Sequence, residues 1–181
     1  MKTFLKYSLL MAAVCMTFAA CGGDSDDDDI PGGGNAQIGV HRVDLHFDNA
    51  LPQWSNVIIV CGVKPNSNFS KLYENGKELP LISMEDQNVG YVSEDVRDYS
   101  INTESGCGFI EAEVLMFSLD GKPAPHDVTV TAVGYVNDKR IYTKVFTLPA
   151  GSISLVVGFN TGNGGESEFY IDGKLAEKDH A

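Results

Sequence analysis

From Ala36 onward, apolar residues alternate with polar ones instead of recurring at helical spacing. Between His41 and Phe47, Val43, Leu45 and Phe47 share one face while Arg42, Asp44 and His46 share the other. That period of two marks a half-buried strand. Val57 to Val63 is continuously apolar, which predicts a central strand covered on both sides. Further strands are predicted around 70–74, 77–82, 89–93, 109–118, 127–136, 139–148, 152–159 and 167–171, and no window of about twelve residues has the apolar spacing of an amphipathic helix.

Turn chemistry separates these runs. Asn75-Gly76 and Asn137-Asp138 read as two-residue hairpin loops, because these residues accept the positive φ of a type I′ turn. The first sets Glu74 against Lys77 and Leu72 against Leu79. Asp120-Gly121 and Asp172-Gly173 mark two more turns. The expected fold class is all-β, a two-sheet antiparallel β-sandwich, Ig-like or related, of about 8–10 strands over residues 37–181. Trp54 precedes both Cys61 and Cys107 instead of lying between them, so the Ig signature itself is not met.

If Asn137-Asp138 is the loop of an unbroken hairpin, paired positions sum to 275 and both faces are fixed. Gly134/Ile141, Ala132/Thr143, Val130/Val145 and Val128/Thr147 then face the core. Tyr135/Arg140, Val133/Tyr142, Thr131/Lys144 and Thr129/Phe146 face outward. This aromatic and basic face makes Tyr135, Arg140, Tyr142 and Lys144 candidate ligand contacts, for sugar rings or a partner protein. The same pairs, with a Tyr135–Arg140 cation–π contact, equally explain a hairpin held together across its strands. Trp54 is a further candidate contact, or a cap on one end of the core.

Composition narrows the chemistry. The chain has 181 residues, 25 acidic against 13 basic, for a formal charge of -12. That balance disfavours nucleic acid as a partner, since phosphate binding needs a basic surface. The catalytic inventory is thin: there is no Gly-x-Ser-x-Gly elbow, HExxH helix or P-loop, and Gly158 to Gly165 has no following Lys-Ser or Lys-Thr. His46 beside Asp44 and Asp48 on one strand face does not surround an ion, and Glu111 and Glu113, also on one face, read as a solvated strand surface. His41 faces the opposite way from His46, His126 lies in a Pro-rich loop and His180 near the end. The expectation is a protein that is not an enzyme, with no cofactor and no metal.

The N-terminal residues carry an address. Lys2 and Lys6 precede a short apolar stretch, Tyr7 to Ala20, which ends in Phe18-Ala19-Ala20-Cys21 and is too short to span a bilayer. Small residues directly before a cysteine resemble the lipobox of bacterial lipoproteins, with Phe18 where Leu is usual. The resemblance implies cleavage after Ala20, acylation of Cys21 and attachment to a membrane through lipid. Gly22 to Asp29, with Ser25, Asp26, Asp27, Asp28 and Asp29, resembles the acidic tract behind the lipidated cysteine of Bacteroidetes-type surface lipoproteins. It implies an outer-membrane location facing the cell exterior. A solvated spacer or a loose calcium binder are the plainer readings of such a run.

The predicted organisation is therefore a signal peptide at 1–20, a lipidated cysteine, acidic tract and Gly-rich linker at 21–36, and the sandwich beyond. Without residues 1–20 the chain has 25 acidic and 11 basic residues, a net of -14; the tract holds five of the acids, so the remainder stands at -9. Cys61 and Cys107 remain as a candidate disulfide, or as two buried thiols. Taken together, these features predict a lipid-anchored, surface-displayed binding or assembly module. Its partner would be a glycan, as an accessory of glycan capture, or an outer-membrane protein. The alternative is a structural or adhesive subunit of a surface fibre or outer-membrane complex, with an enzyme or protease inhibitor a more distant reading.

Overall fold

A computed structural model describes residues 37–179 except 51, 53, 66–69, 84–87, 93–95 and 163–166. The signal, lipobox and acidic-tract expectations, and His180, fall outside the described residues. Thirteen strands follow in order: β1 (His41–Asp48), β2 (Trp54–Val63), β3 (Leu72–Glu74), β4 (Lys77–Glu78), β5 (Leu81–Ser83), β6 (Asn88–Val92), β7 (Tyr99–Thr103), β8 (Phe109–Ser118), β9 (Val128–Val136), β10 (Lys139–Leu148), β11 (Ser154–Asn160), β12 (Ser167–Ile171) and β13 (Lys174–Asp179). They form an all-β, two-sheet sandwich. One sheet has six strands in the order β10-β9-β1-β7-β3-β4 and the other has seven, β13-β12-β11-β8-β2-β6-β5.

The alternation seen in the sequence sets the core. Val43, Leu45 and Phe47 of β1 and Val128, Val130 and Ala132 of β9 meet Ile58 and Val60 of β2, Ala112, Val114 and Met116 of β8, and Leu155, Val157 and Phe159 of β11. At about 25 cal/mol per Å² of apolar surface removed from water, this interleaving of two inner faces is the main force holding the sheets together.

Three turns have the predicted chemistry. Asn75 and Gly76, Asn137 and Asp138, and Asp172 and Gly173 all have positive φ, between 48° and 80°. Leu79 N–H donates to Leu72 O at 2.9 Å, as the first hairpin requires.

Three strand expectations change. The run at 77–82 divides into β4 and β5, which lie in different sheets, because Pro80 has no N–H to continue a ladder. β7 lies outside the runs that the apolar pattern predicts: it has only Tyr99 and Ile101 as large apolar residues, yet it pairs with β1 near the middle of the six-stranded sheet. β13 extends the second sheet beyond the expected last strand.

Candidate functional site

The β9–β10 hairpin departs from the unbroken register. Lys139 pairs with Val136 and Arg140 with Tyr135, but a bulge at Ile141 then sets Tyr142 against Gly134, Val145 against Thr131 and Phe146 against Val130. One extra residue turns every later side chain to the opposite face. Tyr142 is therefore buried, at 9% exposure, and Phe146 and Leu148 join the core, while Val145 and Thr147 face outward. Burial pushes the Tyr142 phenol well above its ordinary range. Gly134 makes this possible, since a Cβ there would overlap the Tyr142 ring.

The proposed ligand face is thereby taken apart. Tyr142 leaves it for the interior. Lys144 turns toward the second sheet, where its Nζ donates to Ser167 Oγ at 3.0 Å. Tyr135 stays on the outer surface, but the cation over its ring is Arg42, with Cζ 4.1 Å from the centroid, and Arg140 is simply exposed. Trp54 is buried among core residues, so it caps the core and offers no contact.

The outer face of the six-stranded sheet is polar throughout its centre. Arg42 pairs with Asp44 and with Asp138, Ser100 Oγ donates to Asp44 at 2.6 Å, and Tyr135 lies under Arg42. His46 holds Asp98 through Nδ1 at 2.7 Å and Asp48 through Nε2 at 3.0 Å, so both ring nitrogens are engaged by carboxylates, and these raise its pKa. Among the described residues, no group of three or more His, Cys, Asp or Glu side chains is arranged to hold a metal ion.

Cys61 and Cys107 are buried and not bonded to each other, which corrects the disulfide alternative. Gly108 N–H donates to Val63 O, two residues past Cys61, or roughly 7 Å of extended strand. Cys107 directly precedes Gly108 in the chain. Its backbone instead exchanges two hydrogen bonds with Gly39, and its Sγ lies 2.9 Å from Ser70 Oγ. Burial and the neighbouring Glu111 push the Cys61 thiol up to about 11, so it is unreactive near neutral pH.

The outer face of the seven-stranded sheet differs in kind. Register aligns Val57, Leu115, Val156, Tyr170 and Leu175 in one row across β2, β8, β11, β12 and β13. The next row holds Tyr91, Ile59, Glu113, Gly158 and Glu168, and the one beyond it Cys61, Glu111 and Asn160. An apolar band thus crosses five strands, with carboxylates along one margin. Leu175 is 54% exposed, and a Cβ built on Gly158 meets nothing within 4 Å, which leaves a notch between Glu113 and Glu168. The solvated carboxylate face predicted for Glu111 and Glu113 is absent: Glu113 is only 3% exposed, and burial raises the Glu111 pKa. Sequence reasoning reached Val57 to Val63 but not the rest of this band, because strand order decides which rows meet. The near-continuous apolar stretch from Phe109 to Phe117 was the available signal.

At the pole where β1 begins, His41 ties several segments together. Ile110 N–H donates to Thr161 Oγ1 at 2.8 Å, leaving the Thr161 hydroxyl to donate to His41 Nδ1 at 2.7 Å. Nε2 then carries the proton and donates to Gln37 O at 2.9 Å. His41 is inward-facing and neutral, a structural group.

No protein-family model and no curated protein matches the chain. Solved structures do. A DUF4425 family protein from Bacteroides ovatus ATCC 8483 aligns with TM-score 0.54 at 15% identity, over 68% of this chain and 94% of that one. A domain of unknown function, DUF4425, from Bacteroides vulgatus ATCC 8482 aligns with TM-score 0.53 at 16% identity, over 70% and 95%. At these identities the likeness concerns the fold.

Proposed function

We propose that the protein is a lipid-anchored, surface-displayed binding or assembly module that joins a protein complex at the outer membrane. The observation that carries this reading is the apolar band of Val57, Leu115, Val156 and Leu175 on the outer face of the seven-stranded sheet. Leu175 is 54% exposed, Val57 and Val156 are half-buried and Leu115 beneath them is buried, and apolar side chains that reach a domain surface in one row can dock the apolar residues of a partner. Glu168, half-buried beside Tyr170 at its margin, on a domain of net charge -9, favours a partner that presents apolar side chains bordered by Lys or Arg. The leader, which resembles that of a surface lipoprotein, supplies the anchor at Cys21 and the export tract at Ser25 to Asp29. Glycan capture is the weaker version, since burial of Tyr142 removes one of the two aromatics it needed side by side.

Placing charge in the band tests the proposal. A Val57→Lys, Val156→Lys variant should migrate, in a native gel of detergent-solubilised outer membranes, at a smaller mass than the wild type. A Thr129→Lys, Thr131→Lys variant, with equal added charge on the polar sheet, should migrate with the wild type. Equal behaviour of the two variants would overturn the proposal.

A further inference from the structure

We propose that β10 is the contact between two copies of this chain, paired antiparallel about a twofold axis at Val145, so that two six-stranded sheets become continuous. This uses the opposite sheet from the apolar band and goes beyond that reading. Each sheet has two edges, and three of the four are poor templates. β4 has two residues and β5 three, while β13 carries charged residues at Lys174, Glu177, Lys178 and Asp179. Short strands and charges are how sheet edges avoid pairing.

β10 has ten residues and pairs on one side only, with β9. The bulge at Ile141 confines its regular part to Tyr142–Leu148. That stretch contains one charge, Lys144, and its ammonium is turned inward to Ser167 Oγ instead of guarding the edge. The centre of the seven residues is Val145, which at 61% is also the most exposed large hydrophobic side chain among the described residues.

Symmetry then selects the register. In an antiparallel pair, facing residues lie on the same side of the sheet, so a twofold axis must pass through a residue. Centring on Lys144 sets two ammonium groups opposite each other, which is destabilising. Centring on Thr143 runs the pairing across the bulge, and centring on Phe146 sets Thr143 against Pro149, which has no N–H. Centring on Val145 sets Val145 against Val145, Thr143 against Thr147, Lys144 against Phe146 and Tyr142 against Leu148. No charge faces its own copy, and the β-branched residues that suit such a ladder face one another.

Cysteine cross-linking of the full chain in intact cells tests this. A Val145→Cys variant treated with a short bis-maleimide should give a covalent dimer, because the two thiols meet at the axis. Thr143→Cys, equally on the outer surface, should give none, because its two copies lie four residues apart along the strands, roughly 14 Å. Thr143→Cys and Thr147→Cys chains expressed together should cross-link to each other. Wild type should give no band, as Cys61 and Cys107 are buried and, on the lipoprotein reading, Cys15 leaves with the signal and Cys21 is acylated. Overturning results are cross-linking as strong from Thr143→Cys alone as from Val145→Cys, or no dimer from a Val145→Cys chain whose thiol is labelled by a monofunctional maleimide.

Discussion

The inward turn of Tyr142 rests on two neighbours, and changing both gives a reversal of sign. A Cβ on Gly134 would overlap Cε1 and Cζ of the Tyr142 ring. Alanine in a strand is ordinarily about 0.5–1 kcal/mol more favourable than glycine, because the unfolded chain is less free. Overpacking a closed site costs about 1–3 kcal/mol. Gly134→Ala alone should therefore destabilise the domain by about 1–2 kcal/mol. Tyr142→Val removes the ring atoms and should itself cost about 2–4 kcal/mol through the cavity it leaves. In that background the overlap is gone, so Gly134→Ala should stabilise by about 0.5–1 kcal/mol. Urea unfolding of the four proteins, followed by circular dichroism, measures the cycle. An unbulged hairpin would point Tyr142 outward and leave the two positions independent. Additivity within about 0.5 kcal/mol would refute the bulged register.

Burial lowers the pKa of His41 below its ordinary 6.5, so the unfolded chain takes up a proton first as pH falls. Stability from this group is complete above pH 6.5 and is lost as pH drops from there through the lowered folded-state value. His46, raised by Asp98 and Asp48, works in the opposite direction, so the effect is read as the difference in pH slope between wild type and His41→Gln by urea titration. Matching slopes would show that His41 is not held neutral. Free thiols at Cys61 and Cys107 predict that both alkylate after unfolding without reductant and that neither reacts in the folded protein; mass spectrometry that finds them blocked until reduction would contradict this. Replacing Asp26 to Asp29 with Ala should make the protein resistant to protease added to intact cells, and unchanged digestion would reduce the tract to a spacer.

Much of the sandwich was legible because period two is a local property. Val43, Leu45 and Phe47 declare their face without reference to any partner strand. The Asn75-Gly76 turn was equally local, since its backbone angles are set by two residues. The candidate site was not, and the hairpin shows why. A single inserted residue at Ile141 leaves composition and strand length unchanged while exchanging the two faces of everything after it. A clue did exist: Tyr142, Phe146 and Leu148 are a bulkier apolar set than Ile141, Thr143, Val145 and Thr147, and a glycine stands opposite the tyrosine. The apolar band could not be read at all from one strand. Val57 and Leu175 are 118 positions apart and meet in one row only through four successive pairings. Cys61 and Cys107 fell between these cases, because an even pair in an exported chain suits a disulfide and only the folded structure shows two separate buried thiols.

The most direct test of the central claim is site-specific photo-cross-linking in intact cells. A photoreactive phenylalanine analogue at Val156, in the middle of the apolar band, should yield an adduct of one defined larger mass on illumination. The same analogue at Asn102, on the polar sheet and three strands from the β10 edge, should yield none. An adduct from Val156 alone is the result this account predicts. Adducts of equal strength from both positions, or none from Val156 in a protein that is present at the membrane, would contradict it.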